Sequence, residues 1–245
     1  MERREFLLAS ALAATAASSQ ASAASPTRFQ IACMTLPYSP FPLERALTGI
    51  KNAGYQFVAW GVNHRESDGK MRPAMDLNAT PSVARALGAR CRNMGLEPVM
   101  MFSTVNFEET GAADAYRKRI DQAQAAGIQN IIVFGKTTRG GYPDIIRNLK
   151  TAATHAKGSG VRLTIKQHGG NTATGVDISK IVADVADPAV WMCYDAGNVL
   201  DYENHDPIPD IQACWKDVRA FSIKDHRNFP VDQDCGAGFG EIDHY

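Results

Sequence analysis

The chain has 245 residues, of which 44% are hydrophobic and 21% charged. That is ordinary globular composition, enough for one well-cored domain. Its 26 basic and 26 acidic residues cancel, which argues against a polyanionic partner and disfavours nucleic acid.

Residues 1–24 read as an address rather than as fold. Arg3-Arg4 precedes an apolar stretch over 6–17, and Ala21-Ser22-Ala23 offers the small residues a signal peptidase requires. This is the pattern of a twin-arginine export signal cleaved near Ala23 or Ala24. It predicts a periplasmic or extracellular protein. The apolar run is too short and too alanine-rich for a stable membrane span. The five cysteines include no Cys-x-x-Cys pair. Cys33 and Cys193 fall inside apolar strand runs and are expected to be small core residues. The spacing argues against a zinc–thiolate site, and pairing among the others is not assigned.

From residue 25 to 245, taken as one domain, a single unit recurs: a helical run, a glycine, then a short apolar strand. Gly54, Gly95, Gly127 and Gly160 mark the junctions, where glycine accepts the left-handed backbone that ends a helix. In chain order the pattern predicts strands over 29–34, 57–61, 98–103, 131–135, 161–166, 190–195 and 218–224. It predicts helices over 43–52, 81–93, 112–126, 142–156, 177–185 and 209–215. Pro42 and the Thr80-Pro81 pair are helix-start signals. A polar excursion over 63–78 separates the second strand from the second helix, and a glycine-rich loop over 236–240 follows the last strand.

Continuous apolar strands alternating with helices are those of a buried parallel sheet. The expected fold is therefore a (β/α)8 TIM barrel. Such a barrel needs eight strands and typically about 250 residues, so the last helix and strand are expected to be missing. The rival, a doubly wound sheet, usually shows a phosphate-binding glycine turn after its first strand. Here that strand runs into Thr35-Leu36-Pro37-Tyr38 instead.

In a barrel the chemistry lies at the C-terminal strand ends. The second strand delivers Trp60, Asn63 and His64, the third Ser103 and Thr104, and the fourth Lys136. The fifth delivers Lys166, Gln167 and His168. The sixth delivers Asp195, Gly197 and Asn198, and the seventh Lys224, Asp225 and His226. Each has a plain reading when taken alone. A strand-end Asp commonly caps a helix, a pair of lysines commonly forms salt bridges, and a tryptophan commonly packs in the core. Jointly, Lys-x-His, Asp-x-x-Asn and Lys-Asp-His at three successive strand ends point to a site.

These segments resemble the xylose-isomerase-like TIM-barrel superfamily, the sugar phosphate isomerase/epimerase group. Tyr194-Asp195-Ala196-Gly197-Asn198 is similar to the family's Asp-x-Gly-His. Phe221-Ser222-Ile223-Lys224-Asp225 is similar to its His-hydrophobic-Lys-Asp strand. Gly236-Ala237-Gly238-Phe239-Gly240-Glu241-Ile242-Asp243 is similar to its Gly-x-Gly-x-x-Asp loop. The resemblance implies a sugar or keto-sugar isomerase or epimerase that moves a proton through an enediolate, with a small-molecule carbohydrate as partner. It also implies a divalent metal (Mn, Mg, Zn or Co) held by Glu, Asp, His and Glu after strands five to eight.

Of those ligands only Asp195 has a counterpart. Lys166 stands at the first Glu position, Ser222 at the His, and Asn198 at the His of Asp-x-Gly-His. An ammonium about 4 Å from a divalent cation is repelled by about 8 kcal/mol at an effective dielectric near ~20, so Lys166 is no substitute ligand. Two arrangements stay open. In one, His168, Asp195 and His226 form an open three-ligand metal site. In the other no metal is used: Lys166 and Lys224 stabilise the oxyanion and His168 takes the proton. Trp60, His64, Lys136, Asn198 and Asp225 are the expected substrate-binding residues, Trp60 by stacking on a sugar face. A lyase or hydratase acting on an oxidised sugar uses the same enolate chemistry. A non-catalytic sugar-binding barrel is the other alternative, since fold alone does not fix function. Self-association stays open.

Overall fold

A computed structural model describes residues 29–244, so the export-signal expectation for residues 1–24 lies outside the described residues. The helix-ending glycines adopt the left-handed backbone their positions call for, with φ of 91° at Gly54, 77° at Gly95, 76° at Gly127 and 75° at Gly160. Each turns the chain from a helix into the next strand.

The first strand, β1, is Ala32–Met34, and helix α1 is Leu43–Asn52. Strand β2, Phe57–Trp60, is followed by a hairpin of β3, Asn63–Arg65, and β4, Met71–Pro73. Then come α2 (Pro81–Asn93), β5 (Glu97–Phe102), α3 (Ala112–Ala126), β6 (Asn130–Val133) and α4 (Tyr142–Ala156). The sequence predicts α1 to α4 at these same bounds. Strand β7 is Arg162–Lys166, α5 is Gly175–Val185 and β8 is Val190–Tyr194. Helix α6, Ala196–Glu203, and helix α7, Pro207–Cys214, precede β9, Val218–Phe221. A second hairpin, β10 (Asp225–Arg227) with β11 (Gln233–Cys235), completes the elements.

Several boundaries differ from those the pattern predicts. β1 starts at Ala32 rather than 29, because its ladder to β2 begins at the Ala32–Phe57 pair. α5 starts two residues early because Thr174 and Asp177 close a reciprocal capping box. α7 starts early because Asp206 accepts from the Ile208 N–H. Thr80 stands at the N-cap of α2, but its hydroxyl bonds Ser82 rather than the backbone. The polar excursion hides the β3–β4 hairpin, whose turn carries the Asp68-Gly69 signal. Helix α6 is not predicted at all, because Gly197 in its first turn weakens the helical pattern.

The seven long-range strands form one parallel sheet in the order β1-β2-β5-β6-β7-β8-β9. Every crossover leads to the adjacent strand. The order never reverses, as it must in a doubly wound sheet, and sequential right-handed crossovers place the helices on one face. Two cores follow from the period-2 alternation of the strands. On the helix side, Val58 and Trp60, Leu163 and Ile165, and Met192 and Tyr194 join the main cluster. On the inner side, Phe102, Ile132 and Cys193 pack with Met34, Met100, Phe134 and Ala220. Burial pushes the Cys193 thiol up to about 12, which fits an inert packing residue. All five cysteines are free thiols. No described helix is long and apolar enough to cross a membrane.

Candidate active site

The inner face of β7 and β8 delivers an ion pair. Leu163 and Ile165 face the helices, so Lys166 faces inward by parity; the same count on β8 turns Asp195 inward. Lys166 Nζ lies 2.5 Å from Asp195 Oδ2, with the two residues only 7% and 1% exposed. Asp195 is held from three directions. Its Oδ1 accepts from the Asn198 N–H at 2.9 Å, capping α6, and its own N–H donates to Gln167 Oε1 at 2.8 Å. Asn198 Nδ2 in turn donates to the Gln167 carbonyl at 2.5 Å. Both plain readings, helix cap and salt bridge, therefore hold at once, and they fix the ammonium in place.

His168 stands two residues on. Its Nδ1 donates to the Gly135 carbonyl at 3.0 Å, which leaves Nε2 as the acceptor nitrogen. The ring is half-buried between Phe134, at 4.4 Å between centroids, and Tyr202, at 5.4 Å. Burial, first, and the Lys166 charge hold the imidazole below its ordinary range, against the opposing pull of the Gly135 bond and of Asp195 and Asp201. The neutral base thus persists to lower pH than in a free histidine. A proton-transfer rate carried by His168 is expected to fall only below about 6.5, the unperturbed value, which a pH–rate profile checks. The same depression makes the unfolded chain bind the extra proton first. Stability therefore rises with pH between the depressed folded value and about 6.5.

Lys224 and His226 join through α6. Lys224 Nζ lies 2.5 Å from Asp234 Oδ1 and 3.7 Å from Asp201 Oδ2. Its chain passes over Gly197, where a Cβ would stand 2.7 Å from Lys224 Cε. His226 Nδ1 faces Asp234 Oδ1 at 3.1 Å and Nε2 faces Asn228 Oδ1 at 3.0 Å. Asp201 and Tyr202 were missed from sequence, since they lie on the unpredicted helix.

The expected substrate-binding residues fare differently. Trp60 belongs to the helix-side core and is 1% exposed, so the parity of β2 corrects the expectation that it stacks on a sugar in the barrel mouth. His64 is buried with both ring nitrogens used: Nδ1 donates to the Phe41 carbonyl, and Nε2 accepts from the Thr35 hydroxyl, whose oxygen accepts from Gly61 N–H. It fastens the β3–β4 hairpin. Lys136 is exposed, and its backbone N–H donates to Glu108. Asn198 braces Gln167, as above.

Asp225 is buried and serves the fold. Its carboxylate accepts from the N–H groups of His226, Gly238, Gly240 and Ile242 at 2.8, 3.0, 2.9 and 3.2 Å. The backbone donors of the glycine-rich loop are thus filled by an internal anion, and a side chain at Gly240 would collide with that carboxylate. Burial alone would raise the Asp225 carboxyl, but the four donors outweigh it and the net shift is downward. Asp225→Ala strands four amides and is expected to cost about 3 kcal/mol or more, read as a fall in denaturation midpoint at unchanged slope.

The metal that the resemblance implies does not fit at the β7–β8 rim. Both oxygens of Asp195 are engaged, one by an ammonium at 2.5 Å. His168, Asp195 and His226 do not form a ligand group. Among the described residues the one group with ligand atoms mutually within 4.8 Å is Asp201, His226 and Asp232. One nitrogen and two carboxylate oxygens suit a divalent cation by donor type.

A family model described as xylose isomerase-like TIM barrel matches residues 47–244. The chain belongs to that family. Among solved structures it is similar to a xylose isomerase domain protein from Planctomyces limnophilus, at 17% identity and a TM-score of 0.68 over 88% of this chain and 82% of that one. It is also similar to 3-keto-D-glucoside 4-epimerase, YcjR, from E. coli, at 12% identity and a TM-score of 0.65 over 88% and 84%. A third is the IOLI protein, crystallised with a zinc atom, at 15% identity and a TM-score of 0.66 over 88% and 81%. At these identities the likeness shows the fold. No curated protein sequence matches the chain.

Proposed function

We propose that this protein is a sugar or keto-sugar isomerase or epimerase that removes a proton next to a carbonyl. The observation that carries this reading is the buried Lys166–Asp195 pair beside a histidine whose acceptor nitrogen is free. His168 Nε2 takes the proton and, in isomerisation, returns it to the neighbouring carbon; epimerisation needs a second acid on the opposite face of the enediolate. The Lys166 ammonium, fixed and largely dehydrated, stabilises the oxygen that gains charge as the enediolate forms. Asp195 keeps that ammonium in position, and Phe134 and Tyr202 hold the imidazole plane. A divalent cation held by Asp201, His226 and Asp232 would supply Lewis-acid polarisation of a substrate oxygen. The similarity to a keto-glucoside epimerase and to a zinc-containing relative supports the substrate class and the cation.

Export by the twin-arginine route forms part of the proposal, supported by Arg3-Arg4 and Ala21-Ser22-Ala23. The test of function is to incubate the protein with free ketoses and 3-keto-glycosides and to score new epimers or isomers by proton NMR. Conversion of at least one is expected. Binding without conversion across the panel favours a sugar-binding barrel, and loss of water from an oxidised sugar favours a dehydratase.

A further inference from the structure

A cavity of about 160 Å³ lies beneath the excursion that follows β2 and shares no residue with the His168 group. Asn63 and Thr104 stand exposed at its rim. Its buried lining includes Met75, Met101, Phe102 and the guanidinium-bearing side chain of Arg119. Arg119 projects from α3 and is 5% exposed.

Half of that guanidinium is spoken for. Nη1 donates to the Met75 carbonyl at 2.9 Å and to Gln122 Oε1 at 2.8 Å, which ties the excursion to α3. Gln122 continues the tie, its amide donating to the carbonyls of Asp76 and Ala79 at 2.8 Å each. The other half has no protein partner. Nε is buried without a hydrogen bond, Nη2 makes none to a described residue, and Asp76 acts on the group only through its charge, not as an ion pair. Burial pushes the guanidinium down to about 10, so it stays a cation at neutral pH. A buried cation with no contacting counter-ion is costly, and the Arg119 side chain lines an open space.

Nε has no accessible surface, so Nη2, which has no hydrogen bond to a described residue, is the nitrogen left to offer N–H donors to a carboxylate oxygen. The cavity's volume equals about five waters at roughly 30 Å³ each, room for a carboxylate and a few attached carbons. Thioether and phenyl groups on the wall suit a carbon chain. A phosphate dianion would find one guanidinium, an amide and a hydroxyl, too few donors to repay its dehydration beside apolar walls. We propose that this cavity binds the carboxylate of a small organic acid, held through Arg119 Nη2. The cavity neighbours the His168 group through the Phe102–Phe134 ring contact, 6.0 Å between centroids, but binding there does not depend on the enolisation chemistry.

The test follows the Arg119 Nε–H resonance of the ¹⁵N-labelled full chain during separate titrations with acetate, D-glucuronate, D-glucose and inorganic phosphate. The resonance is identified by its loss in Arg119→Lys and, independently, by its Overhauser contact with Met75. Acetate or glucuronate is expected to shift it saturably and glucose to leave it unmoved. Thr104→Trp, which plugs the exposed rim without touching Arg119, is expected to weaken carboxylate binding at least tenfold. The proposal is overturned if neither carboxylate shifts the signal, if phosphate alone or glucose does so, or if Thr104→Trp leaves carboxylate binding unchanged.

Discussion

Replacing His168 with glutamine is expected to lower the rate of proton transfer by about 10²–10⁴-fold, the usual contribution of a positioned general base. The substitution is mild for the fold. The ring makes one hydrogen bond, from Nδ1 to the Gly135 carbonyl, and a glutamine amide can donate in its place. The contacts to Phe134 and Tyr202 are partly kept. Loss should therefore fall on kcat, with KM little moved, and the acid limb of the pH profile should vanish with the group that produces it. A rate within threefold of the parent protein would assign the base to another residue.

Lys166→Met carries the second large effect, on stability as well as rate. It leaves Asp195, at 1% exposure, as a buried carboxylate without its cation. Breaking a buried pair in this way costs about 3–5 kcal/mol, which for a chain of this length lowers Tm by roughly 10 °C. The double variant Lys166→Met/Asp195→Asn separates the two roles. Asparagine caps a helix as well as aspartate does, so the cap on α6 survives and no charge is left stranded. Most of the lost stability should return, while activity should not, because the ammonium that stabilises the oxyanion is gone. A stable Lys166→Met protein would mean that the pair is not structural, and an active double variant that it is not catalytic.

Much of this was legible in the chain. Four helices stand at their predicted bounds because glycine or a cap residue punctuates each amphipathic run, and the strands follow from unbroken apolar segments. Lys166, His168, Asp195, Lys224 and His226 were visible as strand-end residues. Their partners were not. Gln167 braces Asp195 across 28 positions, and His168 bonds Gly135 across 33; neither pairing leaves a local trace. Asp201 and Tyr202 lie on a helix disguised by Gly197. Trp60 was misplaced because strand parity decides which face a residue takes, and the strand bounds that set parity come from pairing, not composition. Asp225 reads as a substrate-binding residue because three of the donors it satisfies lie 13 to 17 positions downstream.

Deuterium wash-in from heavy water probes the proposed chemistry at its first step, before any product forms. With a ketose or 3-keto-glycoside that the protein binds, enolisation by His168 predicts deuterium at the carbon next to the carbonyl, and no such label when His168→Gln replaces the parent protein. Saturable binding of these sugars with every C–H bond left unexchanged would contradict it.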